Sequence, residues 1–461
     1  MKKGLLVALL LGVASFSASG AFAQSSIIPP GPAQPNAAWD TPESIRGGMM
    51  LLASFDSSGP DAWDVAKHPM VYVTGQGGDD LSNRGIPRAL PGFQLIDAYT
   101  KEVITTASFD LGTKLQAFPH GIGVSPDGKW IYVPTGVDAD SGNSAIGGKS
   151  RLLVVNARTL KVDRVLVHLD GGVHHVVAFT DPDGNDRILL GSNRGSTFLL
   201  DPNDDQRVVK AITASDVPSN GERIGHPYLT ADPAGKYIYQ ALRYGLDEHG
   251  EAGMAKVNIA SGDIDLIYGL GHNGNPIASA HTADGKITYV NDGHGSHVYK
   301  IDNETNEVIA EVSAGVAGPY GLALNWDESL LFVVGKGEGS HNTGAVLGVV
   351  DTKIFKQATG LTYNMPIYLG GSARSIDHAI LHPDPAVNEL WVSNMRGWET
   401  IVLDLNTYTV EAYIPQVNGG NTHSGAFVKY APDGTGELLV DMGGPQKKMF
   451  ETKALAMAAP K

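Results

Sequence analysis

Histidine is the residue type in this sequence whose placement could do chemistry. His120, His175, His226, His378 and His423 each stand at the head of an apolar segment, in PHGIGV, GGVHHVVAF, IGHPYL, SIDHAIL and NTHSGAF. A single histidine before a strand is ordinarily a cap or a packing residue, but the same type at the same point of successive segments asks for a shared cause. Cysteine is absent, which removes thiolate ligands, disulfides, a CxxCH haem attachment and a thiol nucleophile. Imidazole without thiolate suits copper, zinc, iron or nickel, and copper heads the divalent affinity order. Donor nitrogens must come within about 2 Å of a metal. Histidines this far apart in sequence can share one only if the fold gathers them.

The segments that would gather them recur. An apolar strand, a turn built on Asp-Gly or a near relative, and a second strand carrying an aromatic appear as GVSPDGKWIYV, LTADPAGKYIYQ, SAHTADGKITYV and LALNWDESLLFVV, with looser copies AFTDPDGNDRILL, ILHPDPAVNELWV and FVKYAPDGTGELLV. Between them lies a second kind of hairpin, as in HVYKIDNETNEVIAEV and TIVLDLNTYTVEAYI. The anchors Tyr72, Tyr132, Leu190, Tyr239, Tyr289, Phe332, Trp391 and Leu439 stand 43 to 60 residues apart. Short strands with turn residues at that period predict an all-β fold, a β-propeller of four-stranded antiparallel blades. Seven blades are expected, the hairpin at about 424–440 closing the ring on the early hairpin 92–109; strand-like segments within 46–74 leave eight as the alternative.

A ring turns sequence position into spatial position. With strands A to D numbered from the central channel outward, the D-to-A and B-to-C connections share one face and the Asp-Gly turns lie on the other. The five histidines then crowd the channel mouth. Tyr320 fills the equivalent slot of the sixth blade, whose B-to-C loop, GKGEGSHN, brings Lys336, Glu338 and His341 to the same face. Lys336 and Glu338 are candidates for proton transfer beside a metal, whose charge lowers the pKa of neighbouring acids. His68 and His382 fall near the opposite face and read as ordinary polar residues.

The chain opens MKKGLLVALLLGVASFSASGAFAQ, a basic start, a short apolar run and a small-residue site that predict a signal peptide over 1–23 and export to a periplasm. Residues 24–45, rich in Pro and Ala, are expected to form an extended arm, 46–445 the propeller and 446–461 a tail. The formal charge of −15 argues against nucleic acid and anionic lipid as partners, and no window is long and apolar enough for membrane insertion.

The SPDGKxIYV pattern and the DxxTxxV hairpins resemble the YVTN-type β-propellers over nearly the whole mature chain. Histidines at the channel mouth of an exported propeller are similar to those of the copper propellers, nitrous oxide reductase and thiocyanate dehydrogenase. That resemblance implies a multinuclear copper centre and an oxidoreductase acting on a small inorganic molecule or anion, with electrons passing to a periplasmic acceptor such as a cytochrome c. On it His120, His175, His226, His378 and His423 are carried over as metal ligands, with His341 as a sixth. No cysteine-bearing electron-transfer domain follows and Tyr320 interrupts the histidines, so thiocyanate dehydrogenase is the nearer comparison. Three other classes remain open: a haem d1-binding propeller, which needs one or two essential histidines and a wide cleft; a lactonase, which places carboxylates on its metal; and a non-catalytic exported propeller that binds a protein partner.

Overall fold

The computed structural model describes residues 24–27, 49–77, 90–110, 121–137, 150–168, 173–192, 197–212, 228–337, 344–357, 367–420 and 422–446. The architecture is all-β: seven antiparallel blades of four strands arranged as a propeller. Blade 3, for example, runs from its A strand Val173–Thr180 through Asp186–Ser192 and Thr197–Asp201 to its D strand Arg207–Ile212. Burial follows position in the blade. The A and B strands of blade 7, Ile376–Leu381 and Glu389–Asn394, are buried at every residue, whereas its D strand Thr409–Pro415 is exposed at every second residue from Thr409.

The turns are made by the residues the repeat supplies. In the A-to-B turn of blade 2, Gly128 takes φ 68° and donates to Ser125 O, while Asp127 Oδ1 accepts from Lys129 N. A side chain at Gly128 would pay the left-handed penalty that glycine avoids. In the C-to-D hairpins the Asp of DxxT caps its own turn: Asp302 Oδ1 accepts from Glu304 N and Thr305 N. The repeated aromatics Tyr72, Tyr132, Tyr239, Tyr289, Phe332 and Trp391 are all buried, where they pack between blades.

Ring closure differs in one respect from the expectation. The closing blade takes its A strand from the C-terminus, Gly425–Tyr430, and its B, C and D strands from Met70–Gln76, Gly92–Asp97 and Val103–Asp110. Segment 46–74 therefore makes no eighth blade: Met70–Gln76 is the closing B strand and Met49–Ser54 adds an outer strand to blade 2. The second strand of the C-terminal hairpin, Gly436–Asp441, pairs on the channel side of Gly425–Tyr430 and turns back through Gly444–Pro445. It stands inside the channel. Leu438 N donates to Pro126 O of blade 2, Asp441 Oδ2 accepts from Ala178 N of blade 3, and Met442 O accepts from Tyr228 OH of blade 4. The hairpin thus occupies part of the channel beneath the mouth.

Candidate metal centre at the channel mouth

Three described histidines from the predicted set converge. His175 opens the A strand of blade 3, His378 that of blade 7, and His423 precedes the A strand of the closing blade. Their ring centroids are separated by 4.8 Å (His378 to His423), 5.7 Å (His175 to His423) and 6.1 Å (His175 to His378). All are buried, with exposures of 1%, 2% and 0% for His175, His378 and His423. His120, His226, His341 and Glu338 lie outside the described residues.

The structure adds three residues that the sequence reading passed over. His174 lies against His175, Nδ1 to Nδ1 at 2.9 Å, with its ring 5.8 Å from His423. Asp377 carries an oxygen in contact with His423 Nδ1 and the other 2.9 Å from Lys336 Nζ. Tyr228 stacks on His378 at 5.3 Å and meets His175 edge-on at 5.0 Å. The donor atoms form two overlapping groups, His174, His175 and His423, and Asp377, His378 and His423, each with its atoms within 4.8 Å of one another. His423 belongs to both.

A β-bulge explains the two missed donors. In a regular strand, neighbouring side chains point to opposite faces, so only one of His174 and His175, or of Asp377 and His378, should face the site. The A strands slip register at this point: between Val173 and His175 in blade 3, between Pro276 and Ser279 in blade 5, between Pro319 and Leu322 in blade 6, and between Ile376 and Ala379 in blade 7. An extra residue there re-aims the chain, and both members of each pair reach the channel. The adjacent glycines let neighbouring A strands close up: a Cβ at Gly321 would lie 2.6 Å from Asp377 O, and one at Gly121 would lie 2.6 Å from His174 O.

Electrostatics favour neutral imidazole. Burial holds His378 and His423 well below the usual histidine range, and the neighbouring Lys336 and His175 push the same way. His423 Nδ1 is in contact with the Asp377 carboxylate, the arrangement by which an outer carboxylate orients a metal-binding histidine. His378 Nε2 is buried with no hydrogen-bond partner among the described residues. Lys336 is 5% exposed and its ammonium lies 3.6 Å from the Tyr320 ring centroid. A buried cation of this kind is tolerated only when paired, and Asp377 supplies the pair. The interrupting Tyr320 thus seats the lysine.

Six other described histidines lie apart from this cluster. His281 is satisfied within the blades by Thr230 and Thr288 at 2.8 and 2.9 Å. His68 bonds Asp97, and His382 Nδ1 accepts from Asp384 N. His272 pairs with Glu251 and His297 with Glu311, and His294 is exposed.

Fold and site together define a seven-bladed propeller with a buried imidazole and carboxylate cluster across its channel mouth. No protein-family model matches the chain, and no curated protein sequence does. Among solved structures it is similar to the periplasmic gluconolactonase of Pseudomonas aeruginosa, at 14% identity and TM-score 0.53 over 78% of this chain and 99% of that one. A Bacteroides fragilis protein provisionally assigned as a 6-phosphogluconolactonase aligns at 13% and 0.52 over 78% and 98%. Dihydro-haem d1 dehydrogenase aligns at 16% and 0.48 over 89% and 78%. Likeness at these identities extends to the fold alone. No helix among the described residues is long and apolar enough to cross a membrane.

Proposed function

We propose that the channel-mouth cluster binds copper, in more than one ion, and that the protein is an exported oxidoreductase acting on a small inorganic molecule or anion, in the manner of thiocyanate dehydrogenase. One observation carries this reading: His174, His175, His378 and His423, with Asp377, come from three blades to one buried point and offer imidazole and carboxylate donors without thiolate. The set fits copper by donor type, and the bare Nε2 of His378 is the kind of buried atom a metal would satisfy. Bound copper would supply a one-electron acceptor and a Lewis acid. The chain's own groups would do the rest. His423 is oriented by Asp377, and His378 is held between the Tyr228 and Tyr320 rings. The Lys336 ammonium gives an anionic substrate a charge to meet and a proton donor beside it, with Glu338 a second candidate for proton transfer. The hairpin ending at Met442 closes the floor, so substrate would enter from the mouth face. Electrons taken from it would pass to a one-electron acceptor such as a cytochrome c. A signal peptide over 1–23, as the sequence leads one to expect, would carry it to a periplasm.

The test is metal analysis of protein exported to a periplasm with copper supplied, on wild type and on His423→Ala and His378→Ala. Structural zinc sites contribute about 10–16 kcal/mol, which over the usual four ligands is roughly 2.5–4 kcal/mol each, so either substitution should weaken binding by about 10²–10³-fold. His423→Ala should strip both donor groups and His378→Ala one. A wild type without stoichiometric metal sinks the reading; visible absorption from a bound pigment would then favour the haem d1 class, and its absence a partner-binding propeller.

A further inference from the structure

The bulge that turns Asp377 and His378 into the site has a fixed partner across the sheet. Ile376 pairs with Asn394 and Ala379 with Val392, so Asp377 and His378 together face a single residue, Ser393. Its hydroxyl is fully buried. Ser393 Oγ accepts from His378 N at 3.0 Å and lies 3.1 Å from His378 O and 2.8 Å from His423 O. One hydroxyl has one proton, and the shorter contact gives it to His423. Ser393 therefore touches the backbones of two candidate ligands that belong to different blades, across the boundary between blade 7 and the closing blade.

The same device recurs two blades earlier. Asn291 of the blade 5 B strand Ile287–Asp292 stands opposite the bulge between Pro276 and Ser279. Its Oδ1 accepts from Ala278 N of its own blade, and its Nδ2 donates to the carbonyl of Tyr320 in the next. A polar B-strand residue tying its own bulge to the following blade's mouth residue is thus a repeated feature, met in blade 7 by a serine.

We infer that Ser393 is a positioning residue for the metal centre: it holds the bulge open and sets the separation of His378 and His423. The inference rests on the metal-site reading above. It is tested with full-length protein, by Cu(II) affinity from chelator competition and by the Cu(II) electron paramagnetic resonance spectrum, on wild type, Ser393→Ala and Ser393→Thr, with thermal melting of the metal-free forms. Loss of an outer partner of a ligand typically costs 10–100-fold in metal affinity, so Ser393→Ala should weaken Cu(II) by about that factor and alter the spectrum. Ser393→Thr, which restores the hydroxyl, should recover both. Wild-type affinity and spectrum in a folded Ser393→Ala overturn the inference while leaving the function intact. A Ser393→Ala that no longer folds assigns the hydroxyl to the scaffold and overturns it as well. A wild type that binds no copper is the separate failure of the functional reading.

Discussion

The channel hairpin makes a pH-dependent contribution to stability whose sign and size follow from Asp441. Its side chain is 2% exposed, between Ala178 N at 2.9 Å and Gly443 N at 2.8 Å. Burial pushes its carboxyl up to about 7, against those two hydrogen bonds, from 3.8. Between about pH 4 and pH 7 the folded chain thus binds a proton that the unfolded chain has released, so this group costs stability as pH rises through that window and levels off above it. Three pKa units at 1.36 kcal/mol each set the cost at about 4 kcal/mol as an upper limit. The perturbation is Asp441→Asn. An amide cannot accept from both backbone N–H groups, which offsets the whole curve by about 1–3 kcal/mol, but it does not titrate. Urea unfolding of the metal-free protein at pH 4.5 to 8.5 should show wild type losing stability relative to the variant between pH 4.5 and 7, then running parallel. Parallel curves over the whole range would refute the assignment of a raised carboxyl pKa to the channel interior.

Two further substitutions probe the mouth itself. Gly321→Ala puts a Cβ 2.6 Å from Asp377 O and should force blades 6 and 7 apart, destabilising the protein by about 1–3 kcal/mol; an unchanged denaturation midpoint would show that the close approach is not needed. Lys336→Met leaves the Asp377 carboxylate buried without its ammonium and should cost about 3–5 kcal/mol in the chelated protein, with the loss smaller when metal is present. Equal losses in both states would remove Asp377 from the metal's surroundings.

How much of this was legible in the chain depends on the range of the signal. The period of the strands, the Asp-Gly turns and the absence of helical patterning are local, and they carried the propeller, with seven blades expected and an eighth left open. His175, His378 and His423 were legible because each sits in the same slot of the repeat, and a ring maps equal slots onto one circle. His174, Asp377 and Tyr228 were not, since strand alternation assigns neighbours to opposite faces and the bulge that breaks this rule has no marker in VHHV or IDHA. The adjacent pairs His174–His175 and Asp377–His378 were the available hint.

The path of the C-terminus was also closed to local reading. FVKYAPDGTGELLV has the pattern of every other A-to-B hairpin, yet its second strand enters the channel because Met70–Gln76 already occupies the B position. Sequence determined which residues alternate, where the chain turns and which histidines share a register, because those depend on neighbours a few residues apart. Only the closed ring decided which strand wins a contested edge, which side chains a bulge turns inward and how near the imidazoles come, because those depend on competition between segments hundreds of residues apart.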